Sequence, residues 1–298
     1  MGEFSTYIIA NPASGAFSTK LLDSVVRDLE SFVPKVHMTQ STGDATLFAR
    51  NCPDGSLIVC IGGDGTLNEV VNGMAGSDKT LVIAGGGTGS DLGRTLGFVP
   101  PGSIGSSLNN PRLSMIDLGM VRYSNGTRYF ANVMEIGFGA SVMMRVNSSR
   151  GGRINPFTLS VLKELPHLKS YHLHIDSDPE HRDLEAIEVV IANCRYFGGG
   201  MLASPLSDPA DGSLDLHAVP AMSRLSLIRR FGKLRSGEYV KLDEVVNISS
   251  SEFRISGDAA PFEIDGECIG STPVEISVAK GALRVLTPGS HEQGKAIT

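Results

Sequence analysis

Apolar and polar residues follow two different rhythms along this chain. In the first third, short apolar runs of strand length trade places with segments in which apolar residues recur every three or four positions. Thr6–Ala10 is the first such run, and Leu21, Leu22, Val25, Val26, Leu29 and Phe32 then fall on one helical face. Residues 36–39 read as a second strand and 43–50 as a short helix with Ala45, Phe48 and Ala49 inward. Leu57–Ile61 is the third strand, followed by a helix carrying Leu67, Val70 and Val71. Residues 80–84 and 90–96 repeat that strand and helix, with Ser90 as the helix cap. Such alternation predicts a parallel sheet covered by helices on both faces.

The rhythm changes after Pro100-Pro101-Gly102. Residues 114–118 predict one more strand of the first domain, with Asp117 at its end. From Met120 onward, short segments alternate at a period of two: residues 129–136, 184–193, 253–255, 261–264 and 273–278, then Leu283 and Val285 about Arg284. Many short strands divided by turns predict a sandwich or a barrel. The expected domains are 1–119 and 120–286, with 287–298 either a loose tail or a return to the first domain. Two stretches interrupt the second domain. Residues 141–169 hold Arg145, Arg150 and Arg153 and then a predicted helix over 156–165. Residues 223–235 predict an amphipathic helix with Leu225, Ile228, Phe231 and Leu234 on one side and five basic residues around them. Such a helix either packs on its own core or lies on an anionic membrane surface.

The candidate chemistry sits in the turns. Gly62-Gly63-Asp64-Gly65 joins the third strand to its helix, and Gly85-Gly86-Gly87-Thr88-Gly89 follows the next strand. A glycine turn feeding a helix aims free N–H groups at one point and suits a bound phosphate. In a parallel sheet both turns open at the carboxyl ends of the strands, where ligands bind. Asp64 suits a magnesium ion better than a phosphate. The bland alternative is a pair of tight connections with no ligand. Asp208-Pro209-Ala210-Asp211-Gly212 is an oxygen-rich turn, and Asp265-Gly266 by itself reads as a hairpin turn. His172 and His174 share a strand face but lack a third ligand.

Composition narrows the partners. A net charge of −6 argues against a general nucleic-acid binder. The four cysteines are scattered without metal spacing, and Cys60 falls in an apolar strand, which suits a reducing cytosol. No apolar run has the length to span a bilayer, and the N-terminus lacks a signal-peptide layout, so a cytoplasmic chain is expected.

Taken together, these residues resemble the bacterial diacylglycerol kinase-like lipid kinases, relatives of the sphingosine and ceramide kinases, over nearly the whole chain. Asn11-Pro12-Ala13-Ser14-Gly15 resembles the family's opening motif, and Thr39 with Gly43-Asp44-Ala45 the next. GGDGTLNEVVNG, from Gly62 to Gly73, is the most specific match. Asn193, Gly198-Gly199-Gly200, the 205–214 stretch and Asp265-Gly266-Glu267 follow in the family's order. In the second glycine turn, Gly stands where the family commonly has Pro, and Ser90 where it has Asn, while Thr88 and Asp91 are kept. Without the proline that loop is less restricted.

The resemblance implies a Rossmann-like first domain, a mostly antiparallel β-sandwich second domain, and ATP in a cleft between them. It implies that Thr39, Gly63, Asp64, Gly65, Thr66, Leu67, Asn68, Glu69 and Thr88 line the nucleotide. Asp64, Asp91 and Asp117 would serve the nucleotide-bound Mg2+, and Asp208, Asp211 and Ser213 a second, structural Mg2+. Asp265 would be the general base acting on the hydroxyl of a lipid met at the membrane surface. The rivals are an NAD kinase-type enzyme, which shares the GGDG motif, and a nucleotide- or lipid-binding protein without catalysis. The acceptor lipid and the oligomeric state are not written in these motifs.

Overall fold

A computed structural model describes residues 5–84, 90–148, 157–178 and 180–288. In chain order the first elements are β1 (Thr6–Ala10), α1 (Thr19–Asp28), β2 (Lys35–Met38), α2 (Asp44–Asn51), β3 (Leu57–Ile61), α3 (Asp64–Met74), β4 (Thr80–Ile83), α4 (Asp91–Leu96), α5 (Ile104–Ser107) and β5 (Arg112–Tyr123). Next come β6 (Gly126–Phe130), β7 (Val133–Gly137), α6 (Phe138–Ser148), α7 (Phe157–Glu164), β8 (Tyr171–Ser177) and β9 (His181–Ala192). The chain continues with β10 (Tyr196–Phe197), β11 (Met201–Leu202), β12 (Leu214–Pro220), α8 (Arg224–Ser236) and β13 (Val246–Ser250). It ends with β14 (Glu252–Gly257), β15 (Pro261–Ile264), β16 (Glu267–Ser271) and β17 (Val274–Thr287). Contacts divide the chain into two compact units: one runs to Leu118 and takes the chain back from Ala279, and the other is Gly119–Val278.

In the first unit, β2, β1, β3, β4 and the C-terminal half of β17 lie side by side, and every pair is parallel. β1 and β3 are buried along their whole length, which is why both read as unbroken apolar runs. Val25 of α1 and Leu29 just after it pack with Ile8, Val59, Ile61 and Leu286 on one face. On α3, Gly73 lets the helices touch: a Cβ there would meet the Thr46 carbonyl of α2 at 2.5 Å.

The second unit is antiparallel throughout. Its strands run β16, β15, β7, β9, β8, β14 and the N-terminal half of β17, with β12 on the other edge of β9 and β13 beside β12. Phe130, Phe253 and Phe262 are fully buried in its core, beside Met134, Ile136, Val189 and Ile191. This is the α/β chain with a parallel-sheet first domain and a sandwich-like second domain that the alternation implies.

Four local expectations change. The segment expected over 129–136 is two strands, β6 and β7, split because the N–H groups of residues 131–133 turn to the Asp265 carboxylate. Leu283 and Val285 continue β17 but belong to the first unit, since Arg284 and Val285 pair in parallel with Thr80 and Leu81. The chain therefore returns at Ala279, ahead of the expected 287. Residues 138–148 form a helix that the sequence pattern does not announce. In α8 the inward stripe is Leu227, Phe231 and Leu234, while Leu225 and Ile228 are 56% and 50% exposed. A strict three-residue spacing drifts around a helix of 3.6 residues per turn, so the four positions chosen by that spacing do not share one face.

Candidate active site

The Asn11–Gly15 loop and the turn after β3 are built against each other. Asn11 donates its side-chain N–H to Thr66 Oγ1 at 2.9 Å, and its backbone N–H to the Ile61 carbonyl at 3.0 Å. A Cβ on Gly62 would lie 2.6 Å from the Thr66 Cβ, so this position admits only glycine without displacement. A Cβ on Gly63 would lie 3.3 Å from Ser14 Oγ, whereas one on Gly65 would meet nothing within 4 Å. The turn delivers the chain into α3, whose first N–H groups lack intrahelical partners. The loop around them thus matches an anion in sign and in shape.

Asp64 Oδ1 accepts the Asp91 N–H at 2.9 Å. This single bond ties the start of α3 to the start of α4, and so joins the ends of β3 and β4. Asp91 is 3% exposed and has Arg94 Nε at 3.7 Å, while Ser90 caps α4 by accepting the Gly93 N–H. Thr39 donates its N–H to the Ala10 carbonyl and lies at the same carboxyl edge of the sheet. Thr88 and the Gly85–Gly89 turn lie outside the described residues.

The remaining motif residues have other partners. Glu69 accepts the Ala45 N–H at 3.1 Å, which caps α2. Leu67 is 3% exposed and its N–H bonds the Gly63 carbonyl within the helix, and Asn68 is buried as well. Asp117 is buried and accepts the Gly281 N–H at 2.7 Å, which fastens β5 to β17.

The Asp64 carboxylate, which meets the main chain of Asp91, suits magnesium, an ion that takes one or two carboxylates and completes its shell with phosphates and water. In the 208–213 loop, Asp208 Oδ1 accepts the Ala210 N–H, Asp211 Oδ1 the Ser213 N–H, and the Asp208 carbonyl the Asp211 N–H. Among the described residues no group of three or more His, Cys, Asp or Glu is set to hold a metal. An ion at either place would need carbonyl, phosphate or water oxygens as well. His174 pairs with Asp183 on an exposed strand face and has no metal set around it.

In the second unit, Asp265 has φ 45, a left-handed conformation that, after glycine, asparagine and aspartate adopt most readily. Its Oδ2 accepts the Ala131 N–H at 2.8 Å, and its Oδ1 those of Asn132 and Val133 at 2.9 and 3.1 Å. Asn193 holds the same turn from the other side: its Nδ2 donates to the Ala131 carbonyl and its backbone N–H to the Asn132 carbonyl. The carboxylate is therefore fixed in direction by three backbone donors.

Next to it lies a feature that motif reading misses. Glu263 and Glu135 are cross-strand partners on β15 and β7, and Glu188 of β9 pairs opposite Gly137, so the three glutamates form a row on one sheet face. They are 2%, 6% and 9% exposed. Each interrupts an apolar run, and that was the signal available in the sequence. Burial pushes the Glu135 carboxyl up to about 7, against a hydrogen bond from Glu263 that lowers it. Burial, then the neighbouring Glu135, raises Glu188 and Glu263 well above the usual carboxylate range. The folded state thus favours a protonated Glu135. Its contribution to stability is present below the ordinary 4.5 and is lost as pH rises through about 7. Relative to Glu135→Gln, the wild type is expected to lose about 4–8 °C in Tm, or ~2 kcal/mol, between about pH 5 and about pH 8. A Tm difference that stays flat over that range would show that Glu135 does not take up a proton on folding.

Known proteins give this geometry its context. Residues 5–121 match the diacylglycerol kinase catalytic domain, and residues 132–287 match the YegS C-terminal NAD kinase beta sandwich-like domain. A diacylglycerol kinase of Mycobacterium tuberculosis is 31% identical over 239 residues, covering 78% of this chain and 76% of the relative. A diacylglycerol kinase of Bacillus subtilis is 28% identical over 294 residues, 94% of this chain and 95% of that one. A crystal structure of a diacylglycerol kinase from Bacillus anthracis superposes with TM-score 0.71 over 96% of this chain and 97% of that chain, a likeness of fold at 22% identity. The two domain matches and these relatives agree: the chain belongs to the diacylglycerol kinase-like lipid kinases.

Proposed function

We propose that this protein transfers the γ-phosphoryl group of ATP to a lipid hydroxyl, with Asp265 as general base. The observation that carries the reading is the Asp64–Asp91 tether. It brings the start of α4, with Asp91, to the Asp64 carboxylate at the start of α3, whose first N–H groups lie at the carboxyl edge of a parallel sheet. Those N–H groups bind the phosphates, and Gly62 and Gly63 let them approach the main chain. Magnesium, when bound at Asp64 and Asp91, offsets charge on the transferring phosphoryl group. Asp265 accepts the proton of the attacking hydroxyl, and its three backbone donors keep it aimed. The second unit supports a lipid acceptor rather than a soluble one. Leu159 and Leu162 of α7 and Leu225 and Ile228 of α8 are exposed, and Arg229 and Lys233 lie on α8 among them. This mixture of apolar and basic side chains suits an anionic bilayer surface. Among the described residues no helix is long and apolar enough to cross a membrane.

The test offers lipid alcohols and NAD in parallel with ATP and magnesium, with products read by mass spectrometry. Phosphorylated lipid is expected. Phosphorylated NAD without lipid product would overturn the reading.

A further inference from the structure

We propose that Glu263 is a positioning residue for Asp265: as an uncharged acid hydrogen-bonded to Glu135, it fastens the turn that aims the Asp265 carboxylate. This inference rests on the reading of Asp265 as general base and deepens it by naming what holds that base in place. The turn is gripped at successive peptide groups. The Asp265 N–H donates to the Val133 carbonyl at 3.0 Å. The Gly266 N–H donates to Glu263 Oε2 at 2.5 Å, and the Gly266 carbonyl accepts the Asn147 side-chain N–H at 3.2 Å. Asp265 has φ 45 and Gly266 φ 89, so two residues in a row stand in the left-handed region. Such a backbone persists where its surroundings over-determine it. Among these partners of the turn, Glu263 is the one that titrates.

The sheet brings its carboxyl there. Phe262 and Ile264 of β15 belong to the core of the second unit, and Glu263 between them alternates to the opposite face. On that face it meets its cross-strand partner Glu135 of β7, and the two carboxyls are hydrogen-bonded to each other. α6 covers the pair. A Cβ on Gly139 would meet the Glu135 carboxyl atoms at 2.7 Å, so glycine is what admits the helix at this point.

A hydrogen bond between two carboxyls needs a donor, so the pair holds at least one proton. The surroundings favour keeping it on Glu263. Burial acts first and Glu135 second, Asp265 adds to both, and the Gly266 N–H opposes them. The other titratable or charged groups facing the pair are Glu188 of β9, Tyr239 after α8, Cys268 and Glu267 of β16, and Arg235 of α8. Three of these are acids or a thiol that burial and the glutamates keep from ionising: Glu188, Tyr239 and Cys268. An uncharged Glu263 puts no second negative charge beside the one that Asp265 carries as a base. An ionised Glu263 would repel Asp265 and Glu135 alike and strain the turn between them.

The test joins the pH profile of kcat, taken with ATP, magnesium and dioctanoylglycerol well below each Tm, to carbon NMR of the full chain labelled at its glutamate carboxyls. The Glu263 signal is the one missing from Glu263→Gln. It is expected to report a protonated acid at neutral pH and to ionise where the wild-type kcat falls on the alkaline side. Glu263→Gln keeps an oxygen for the Gly266 N–H and a donor for Glu135, and is expected to lose that alkaline limb. Glu135→Gln removes a charge that opposes ionisation of Glu263, and is expected to move the limb to lower pH. Glu263→Met is expected to lower kcat about 10–100-fold at neutral pH with the KM for ATP little changed, the effect of a misplaced base, and Glu263→Gln to recover most of that loss. A Glu263 signal already ionised at neutral pH overturns the assignment. So does a wild-type profile without an alkaline limb, or a limb unchanged in Glu263→Gln. If Glu263→Met does not fold, the two glutamine variants decide. Full kcat in Asp265→Asn, with Glu263 still protonated, would sink the base reading and leave the uncharged tie to the turn standing.

Discussion

Asp265→Asn is expected to lower kcat by about 10²–10⁴-fold, the usual contribution of a positioned general base, with the KM for ATP little changed. Asparagine is the fitting substitution for two physical reasons. It tolerates the positive φ at this position better than any residue but glycine. Its side-chain oxygen can still accept the Asn132 and Val133 N–H groups, as Asp265 Oδ1 does. Only the Ala131 N–H, now bonded to Oδ2, would face an NH2 group instead. That mismatch costs about 1–3 kcal/mol of stability, so the variant should fold with a lowered Tm. Kinetics and melting together separate the roles. A lowered Tm with kcat preserved would mean that Asp265 ties the hairpin to the turn after β6 and does nothing to the hydroxyl.

The second large effect is expected at Asp64. Asp64→Asn keeps an oxygen for the Asp91 N–H, and so keeps the link between α3 and α4, but removes the charge. We expect kcat/KM to fall about 100-fold, or ~2.7 kcal/mol, with the magnesium concentration for half-maximal rate rising in parallel. Asp64→Ala removes the tether as well, so it should lose more activity and also stability. Equal magnesium dependence in wild type and Asp64→Asn would remove the ion from this carboxylate. Asp117 is a useful contrast. Its carboxylate is engaged by the Gly281 N–H, and its loss should register first in the melting of the first unit.

The first unit was legible because its signals are local. The apolar run of β3, the glycines after it and the helical spacing of α3 lie within twenty residues and point to one structure. The sandwich was legible as a class, since alternation at a period of two survives without knowledge of partners. What the sequence did not disclose depends on distant contacts. The start of α6 is held by Glu188, 49 residues away from Gly139, so no local cap announces the helix. β17 leaves an antiparallel neighbour, β14, for a parallel one, β4. Its buried positions slip by one residue between Val274 and Ile276 on one side and Leu283 and Val285 on the other, around Gly281 at φ 56. At the candidate site, the family resemblance named Asp64 and Asp91 but not the bond between them. It also placed Glu69 along the nucleotide without disclosing that its side chain accepts the Ala45 N–H at the start of α2. Glu135, Glu188 and Glu263 needed no distant information to be noticed. A charged residue inside an apolar strand run is a question in itself, and each belonged among the candidates.

The account centres on direct transfer to a lipid hydroxyl, and the fate of the γ-phosphorus tests that most directly. ATP made chiral at this phosphorus by oxygen isotopes would be incubated with the protein, magnesium and dioctanoylglycerol, and the configuration of the lipid phosphate determined. In-line attack by a hydroxyl that Asp265 has deprotonated predicts one inversion. Retained configuration, which requires a phosphorylated enzyme, or label found in inorganic phosphate or NAD but never in lipid, would contradict it.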